Sequence, residues 1–335
     1  MTQPPVDTQA ATVLEVLAPG LLSTIQDLGR PGLERFGVPS GGAADPLGLA
    51  VANLLVGNEP GLAALECTLL GPELRALRDV SVGIGGADLE ARVLPGGRTL
   101  RPGGSHRLRA GEVLAFSAVE PDVGCRAYVA VPGGFEVPEV LGSRSTSLVG
   151  GFGGLDGRPL RAGDLLPGRV WKPAPSDVAW PADLELPSSS SAIRVLAGPD
   201  ATAQLPGSRP DLPSQLVGTT WTIGHDSDRR GIRLEGQTLA ATGPIADRPS
   251  SGVLPGAIQV TPSGQPIVLM PDAGPTGGYP VIAVVCAADL WRLGQLRPGS
   301  EVTFELVATA DARTALVDRR RLLAAAAERL LGHLS

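Results

Sequence analysis

Apolar positions along this chain recur mostly with a period of two, in short runs broken by glycine and proline. Residues 13–26 (VLEVLAPGLLSTIQ) alternate on either side of Pro19-Gly20 and predict two short strands joined by a turn. Between residues 63 and 130 the runs VSVGIGG, EVLAFSAV and CRAYVAV predict further strands. A second strand-rich block runs from 193 to 306 and ends in EVTFEL, whose alternation puts Val302, Phe304 and Leu306 on one face. Four related strings adjoin these apolar runs: LRPGG (100–104), LRAGE (108–112), LRAGD (160–164) and LRPGS (296–300). They predict strand connections.

Helical signals are few. Asp45 caps and Pro46 opens a helix carrying Leu49, Ala52, Asn53, Leu55 and Val56, which Gly57-Asn58 ends. Residues 311–331 predict a C-terminal helix, with Leu316, Leu323 and Leu330 seven apart and Leu322 and Ala326 widening the stripe. That stripe is expected to pack onto the helix's own domain. The chain therefore reads as mainly β, with a polar tail over 1–12 and a first domain over 13–170. A Pro- and Ser-rich linker or surface loop over 171–191, a second domain over 192–310 and the helix over 311–335 follow.

Composition narrows the chemistry. The 335 residues include 45 glycines and 32 prolines, with 43% hydrophobic and 19% charged residues, which suits many short strands and tight turns better than disorder. A net charge of −6 argues against nucleic acid or an anionic membrane as the main partner. No apolar run reaches membrane-spanning length, and the N-terminal MTQPPVDTQAAT reads as a polar tail and not a signal peptide. Cys67, Cys125 and Cys286 are far apart and in apolar surroundings, which predicts buried free thiols and a reducing, cytoplasmic setting. His106, His225 and His333 do not form a zinc-ligand pattern. Lys172 is the sole lysine, and no GxxxxGK[ST] string occurs. A P-loop, a lysine Schiff base and a biotin-carrying hairpin are therefore not expected on this chain.

Four segments concentrate hydrogen-bonding groups among glycines. Residues 248–280 place Ser250, Ser251, Gln259, Gln265, Asp272, Thr276 and Tyr279 between strand-like runs, with Gly277 and Gly278 beside them. Glycine admits close backbone approach, and small hydroxyls and amides can read a neutral polar substrate. The same segment also reads as a hairpin with ordinary turns. Residues 27–46 bring Asp27 and Arg30 to one turn and set Gly37, Gly41 and Gly42 before the capped helix. This is either an anion-holding nest or a structural Ω-loop. Residues 142–146 (GSRST) set Arg144 among hydroxyls, as an anion grip or a surface loop. Residues 225–236 (HDSDRRGIRLEG) carry Arg229 and Arg233, which share a face in an extended strand and are either solvated or matched to an anion.

Taken in order, DLGRPG, GVPSGGAADP, ANLLVGN, GSRST, GGLDGRPL, SDRRGIRLEG, SSGVLPGAIQV, GQPIVLM and TGGYPVIA resemble the biotin-dependent carboxyltransferase-like family. This group includes allophanate hydrolase subunit 2 and the C subunit of 5-oxoprolinase. The likeness covers residues 13–307 and departs before TGGYP, where Pro275 stands in place of a frequent threonine.

The resemblance implies two cyclophilin-like β-barrel domains with a few short helices. It implies one component of an ATP-dependent 5-oxoprolinase, which opens 5-oxoproline to L-glutamate. The implied partners are a homologue of allophanate hydrolase subunit 1 (the B subunit of 5-oxoprolinase) and the A subunit of 5-oxoprolinase. The implied substrate is a small amide, with ATP used somewhere in the complex. The alternatives are a carboxyltransferase component that takes a carboxyl group from biotin to urea or a similar amide, and a non-catalytic regulatory subunit.

On this reading Arg229 or Arg233 takes a substrate carboxylate, Gln259 and Thr276 hold the amide, and Asp272 orients or deprotonates. Tyr279, Ser250, Ser251, Gly277 and Gly278 complete the site. Asp27, Arg30, Gly41, Asp45, Asn53 and Arg144 stand in a second rank, as a wall of the site or as a contact with a neighbouring subunit.

Overall fold

The computed structural model describes residues 10–117, 124–169, 177–188, 191–201, 212–239 and 249–332. They fall into two compact units, one within 1–29, 45–185 and 322–335, the other within 30–44 and 186–321. The glycine-rich loop 30–44 thus belongs to the second unit, although its position in sequence is inside the first domain. The C-terminal helix is likewise divided between the units at residue 322.

The first unit holds β1 (Ala10–Ala18), β2 (Leu22–Gln26), β3 (Ala64–Thr68), β4 (Glu73–Ala76), β5 (Val80–Gly86), β6 (Arg92–Leu94), β7 (Arg98–Thr99), β8 (Gly104–Leu108), β9 (Val113–Ala115), β10 (Arg126–Ala130) and β11 (Leu165–Arg169). These strands form a six-stranded sheet in the order β11-β1-β4-β9-β6-β7 and a five-stranded sheet in the order β2-β3-β10-β5-β8. Val16, Leu74 and Leu114 from one sheet and Ile25, Leu65, Ile84 and Val129 from the other share a single apolar core. Cys67 is buried there, and burial pushes its thiol well above the ordinary range, so it packs as an apolar side chain.

The other face of the five-stranded sheet is polar. Thr24, Glu66 and Tyr128 are cross-strand neighbours on it. Helix α1 (Pro46–Leu54) begins as the sequence predicts: Pro46 is at its first turn, and Asp45 Oδ1 accepts from Gly48 N at 2.8 Å. The Tyr128 hydroxyl donates to Glu66 at 2.6 Å and accepts from Asp45 N at 2.8 Å, which pins the helix start to the sheet. Burial, then the Glu66 and Asp45 carboxylates, push the Tyr128 phenol well above its ordinary pKa, so it stays protonated and keeps both bonds.

The second unit holds β12 (Ile193–Ala197), β13 (Trp221–Ile223), β14 (Gly231–Glu235), β15 (Ser251–Gly252), β16 (Ala257–Val260), β17 (Pro266–Leu269), β18 (Thr276–Gly277), β19 (Val281–Val285), β20 (Glu301–Val302) and β21 (Phe304–Leu306). Its helices are α2 (Leu212–Val217), α3 (Leu290–Leu293) and part of α4 (Thr309–Gly332). Eight strands form one sheet in the order β20-β13-β14-β17-β16-β19-β12-β21. Its two edge strands are consecutive in the chain, separated only by Thr303, so the sheet nearly closes on itself as a barrel. The chain switches edges at that point, which interrupts the alternation of EVTFEL. Val302 and Phe304 are buried, but Leu306 is 44% exposed, contrary to the single face expected.

The described part of the 171–191 stretch is bonded into the first unit: Ser105 N donates to the Val178 carbonyl at 2.7 Å, and Trp180 Nε1 to that of Leu184 at 2.7 Å. The Lys172 segment lies outside the described residues. The C-terminal part of helix α4 packs its stripe within the first unit. Ala326 and Leu330 are buried with Leu54, beside Val178, Trp180 and Leu184 of the first unit.

The four LRxG strings are turns, and their glycines Gly103, Gly111, Gly163 and Gly299 have φ of 77°, 89°, 89° and 83°. In three of them the fourth turn residue (Glu112, Asp164 or Ser300) donates its backbone N–H to the arginine carbonyl. The same residue's side chain accepts from the arginine N–H. Glycine is needed for the left-handed φ, not for space, because a methyl at Gly111 or Gly299 would meet nothing within 4 Å. Gly111→Ala and Gly299→Ala should each lower the unfolding free energy by about 1 kcal/mol in urea titrations. Gly252→Ala, equally open but without the positive φ, should change it by less than about 0.5 kcal/mol. Equal costs at all three sites would contradict the turn argument.

Candidate functional site

The registers of the second barrel place its polar residues in a row. Arg233 on β14 faces Ile267 on β17, which faces Gln259 on β16. Their strand neighbours Ile232, Val268 and Ile258 point the other way into the core. The open face carrying Gly231, Arg233, Gln259, Ile267 and Leu269 forms the floor of a cavity of about 260 Å³. Val253, Ala273, Gly274 and Thr276 form one wall, and Asp226, Asp228 and Arg230 another. This is small beside the roughly 300–1,000 Å³ of drug-sized pockets and in scale with a single amino acid.

Each wall has a local cause. Strands β15 and β18 pair Ser251 with Gly277 and Gly252 with Thr276, a two-stranded ribbon that presents Thr276. Gln259 is 5% exposed, and its Nε2 donates to the Tyr279 carbonyl at 3.1 Å. Its Oε1 is left without a donor among the described residues. A methyl on Gly277 would come within 2.7 Å of Gln259 Nε2, so glycine there is a condition of the amide's position. On the opposite wall Asp228 closes a tight turn, accepting from Arg230 N at 2.7 Å and pairing with Arg230 Nε at 2.8 Å.

The two candidate arginines have different fates. Arg229 precedes β14 and is buried: Nε and Nη2 donate to the two oxygens of Asp272 at 2.9 and 3.0 Å, and Nη2 also donates to the Gly42 carbonyl at 2.7 Å. It does not share the outlook of Arg233. Arg233 is exposed to the cavity and has no ion-pair partner among the described residues. Asp272 is 4% exposed, lies outside the cavity lining and directs both oxygens to Arg229. Gly41 N donates to the Pro271 carbonyl at 2.9 Å, so loop 30–44 is fastened where Arg229 and Asp272 meet.

Of the expected residues, the cavity gathers Arg233, Gln259 and Thr276, with Gly277 behind Gln259. Ser250, Ser251, Gly278 and Tyr279 lie outside its lining, although Ser251 and the Tyr279 carbonyl fix its walls. Asp226 and the apolar floor were not singled out from sequence. For Ile267 and Leu269 the available signal is their alternation with the buried Pro266 and Val268 within GQPIVLM.

The second-rank residues brace the fold. Asp27 accepts from Gly29 N, Ser143 Oγ and Arg144 N at 2.7, 2.6 and 2.6 Å. Arg144 Nε donates to the Val137 carbonyl at 3.0 Å, and the Thr146 hydroxyl donates to the Ile25 carbonyl at 3.0 Å, so this cluster ties its loop to the end of β2. Asn53 is buried and ties the end of α1 to the Leu62 carbonyl at 2.8 Å. Asp45 is the helix cap, and Arg30 is buried within the second unit. No group of three or more His, Cys, Asp or Glu among the described residues is placed to hold a metal ion, and no described helix is long and apolar enough to cross a membrane.

Residues 36–306 match the carboxyltransferase domain, subdomain A and B. The chain is 37% identical over 322 residues to the C subunit of 5-oxoprolinase from Escherichia coli (strain K12), covering 95% of this chain and 99% of that protein. The crystal structure of TTHA0988 superposes with a TM-score of 0.77 at 34% identity, over 90% of this chain and 56% of that one. The crystal structure of the Kluyveromyces lactis urea carboxylase superposes with a TM-score of 0.84 at 30% identity, over 94% of this chain and 29% of that one. This chain therefore spans about half the length of the first and less than a third of the second.

Removing one partner of the buried ion pair should be costly. Asp272→Ala leaves the Arg229 charge without its carboxylate and should destabilise by about 3–5 kcal/mol, read by urea denaturation. Arg233→Gln, at an exposed and unpaired position, should stay within about 0.5 kcal/mol of the parent. Similar losses for both would contradict the division of roles.

Proposed function

The chain belongs to the carboxyltransferase domain family, subdomains A and B, and from that premise we propose that it is one component of an ATP-dependent 5-oxoprolinase, in the cytoplasm, that opens 5-oxoproline to L-glutamate together with partner subunits. The observation that carries this reading is the unpaired Arg233 set in one row with Gln259, in a cavity of about 260 Å³. An acid amide has the matching groups. Its carboxylate pairs with Arg233, its lactam N–H donates to Gln259 Oε1, and its carbonyl oxygen accepts from the Thr276 hydroxyl.

An amide resists attack because its nitrogen lone pair is delocalised onto oxygen. ATP supplies activation by phosphorylating that oxygen, which makes the carbon electrophilic toward water. We assign ATP to a place outside this cavity, whose volume of about 260 Å³ is in scale with a single amino acid, and no P-loop string is present. In this reading the nucleotide is held by the partners, homologues of the A and B subunits of 5-oxoprolinase. This chain's contribution is orientation, with Arg233 and Gln259 fixing the ring so that its carbonyl has one presentation. Asp272, expected to orient or deprotonate, is paired with Arg229, which also holds the loop at Gly42.

The likeness to urea carboxylase favours a second reading, carboxyl transfer from biotin to a urea-like amide. Arg233 alone does not separate the two, because a carboxyl group on its way to urea would also suit a guanidinium; the response to 5-oxoproline does. The test is ATP-dependent glutamate release from 5-oxoproline by the reconstituted complex, with this chain present or omitted. Release should require the chain, and Arg233→Gln should lower kcat/KM by about tenfold or more, mainly through KM. No glutamate from a verified, folded complex would overturn the reading.

A further inference from the structure

The cavity charges do not match 5-oxoproline alone. Asp226, Asp228, Arg230 and Arg233 all line it. Asp228 and Arg230 neutralise each other through a 2.8 Å ion pair. What remains is one cation, Arg233, and one anion, Asp226. Neither has an ion-pair partner among the described residues, and they do not pair with each other. Asp226 is held near Arg233 by the backbone: Gly224 N donates to the Arg233 carbonyl at 2.8 Å, and Arg233 N donates to Ser227 Oγ at 3.0 Å. A turn thus carries a free carboxylate beside a strand carrying a free guanidinium.

Resting on the reading of this cavity as the substrate site, we infer that it is matched to an α-amino acid zwitterion, and that Asp226 recognises the ammonium group created by ring opening. Hydrolysis breaks the lactam C–N bond. In net terms the oxygen of one water joins the former carbonyl carbon, giving a carboxylate, while a second water takes up the phosphoryl group of ATP as phosphate and leaves ADP. The two protons of the first water pass to the former ring nitrogen, which becomes an ammonium on the carbon that bears the original carboxylate. That carboxylate stays on Arg233, and the adjacent ammonium meets Asp226. The lactam N–H of the substrate is neutral and gains little from a carboxylate, whereas the product gains a charge-assisted contact. The site therefore holds L-glutamate more tightly than 5-oxoproline, and the complex is product-inhibited through Asp226.

The test is calorimetric titration of the full chain, alone and with its partner subunits but without ATP, using L-glutamate, glutarate and 5-oxoproline. L-Glutamate should bind about tenfold more tightly than 5-oxoproline or glutarate, which lacks the ammonium. Asp226→Asn should lower the ratio of L-glutamate to 5-oxoproline affinity about tenfold, and Arg233→Gln should weaken both ligands. Thermal unfolding of each variant checks that it folds. Binding of 5-oxoproline that is lost in Arg233→Gln, with a ratio unmoved by Asp226→Asn, would overturn the ammonium site and leave the substrate site standing. Binding of neither ligand to the folded protein in either form would overturn both.

Discussion

The candidate site depends on one buried ion pair. Arg229 and Asp272 come from segments 43 residues apart and meet through two hydrogen bonds, and Arg229 also donates to the Gly42 carbonyl. Two charges removed from water are costly unless each is fully paired, and here the geometry is bidentate. The pair fixes where the chain enters β14 and where it leaves β17, and it fastens loop 30–44 to both. The walls of the cavity are extensions of these same segments. Arg233 is four residues beyond Arg229, and Thr276 is four beyond Asp272, so the spacing of the cavity's polar groups follows from the clasp.

Much of the fold was legible in local pattern. The Asp45-Pro46 helix start, the strand alternations and the left-handed glycines of the LRxG turns are decided by residues next to one another. The division of labour between Arg229 and Arg233 was not legible, because in an extended strand both share a face. Asp272 decides it by removing one of them, and that contact is long-range. The placement of loop 30–44 escaped for the same reason, since its bonds to Pro271 and Arg229 span most of the chain. Leu306 was misread because the alternation of EVTFEL crosses the edge switch at Thr303. Asp226 drew no attention because an acidic residue in an exposed turn is ordinary until a cavity is seen beside it.

The GSRST and Asp27 segments show the opposite outcome. Their residue types suit anion binding, but most of their hydrogen bonds tie the two segments to each other and to β2, leaving the Arg144 Nη groups without a partner among the described residues. Candidate chemistry in a glycine-rich segment is therefore separated from bracing by which donors and acceptors the fold leaves unspent. By that criterion the second barrel's open face stands out, with Arg233, Asp226 and Gln259 Oε1 all lacking described partners.

A crystal structure of the chain with 5-oxoproline bound would show which groups of the open face hold the ligand. The ligand is expected on the open face of β14, β17 and β16, its carboxylate against Arg233 and its ring N–H toward Gln259, with the Arg229–Asp272 pair intact. A ligand bound elsewhere, or one seated by opening that pair to take Arg229, would contradict that placement.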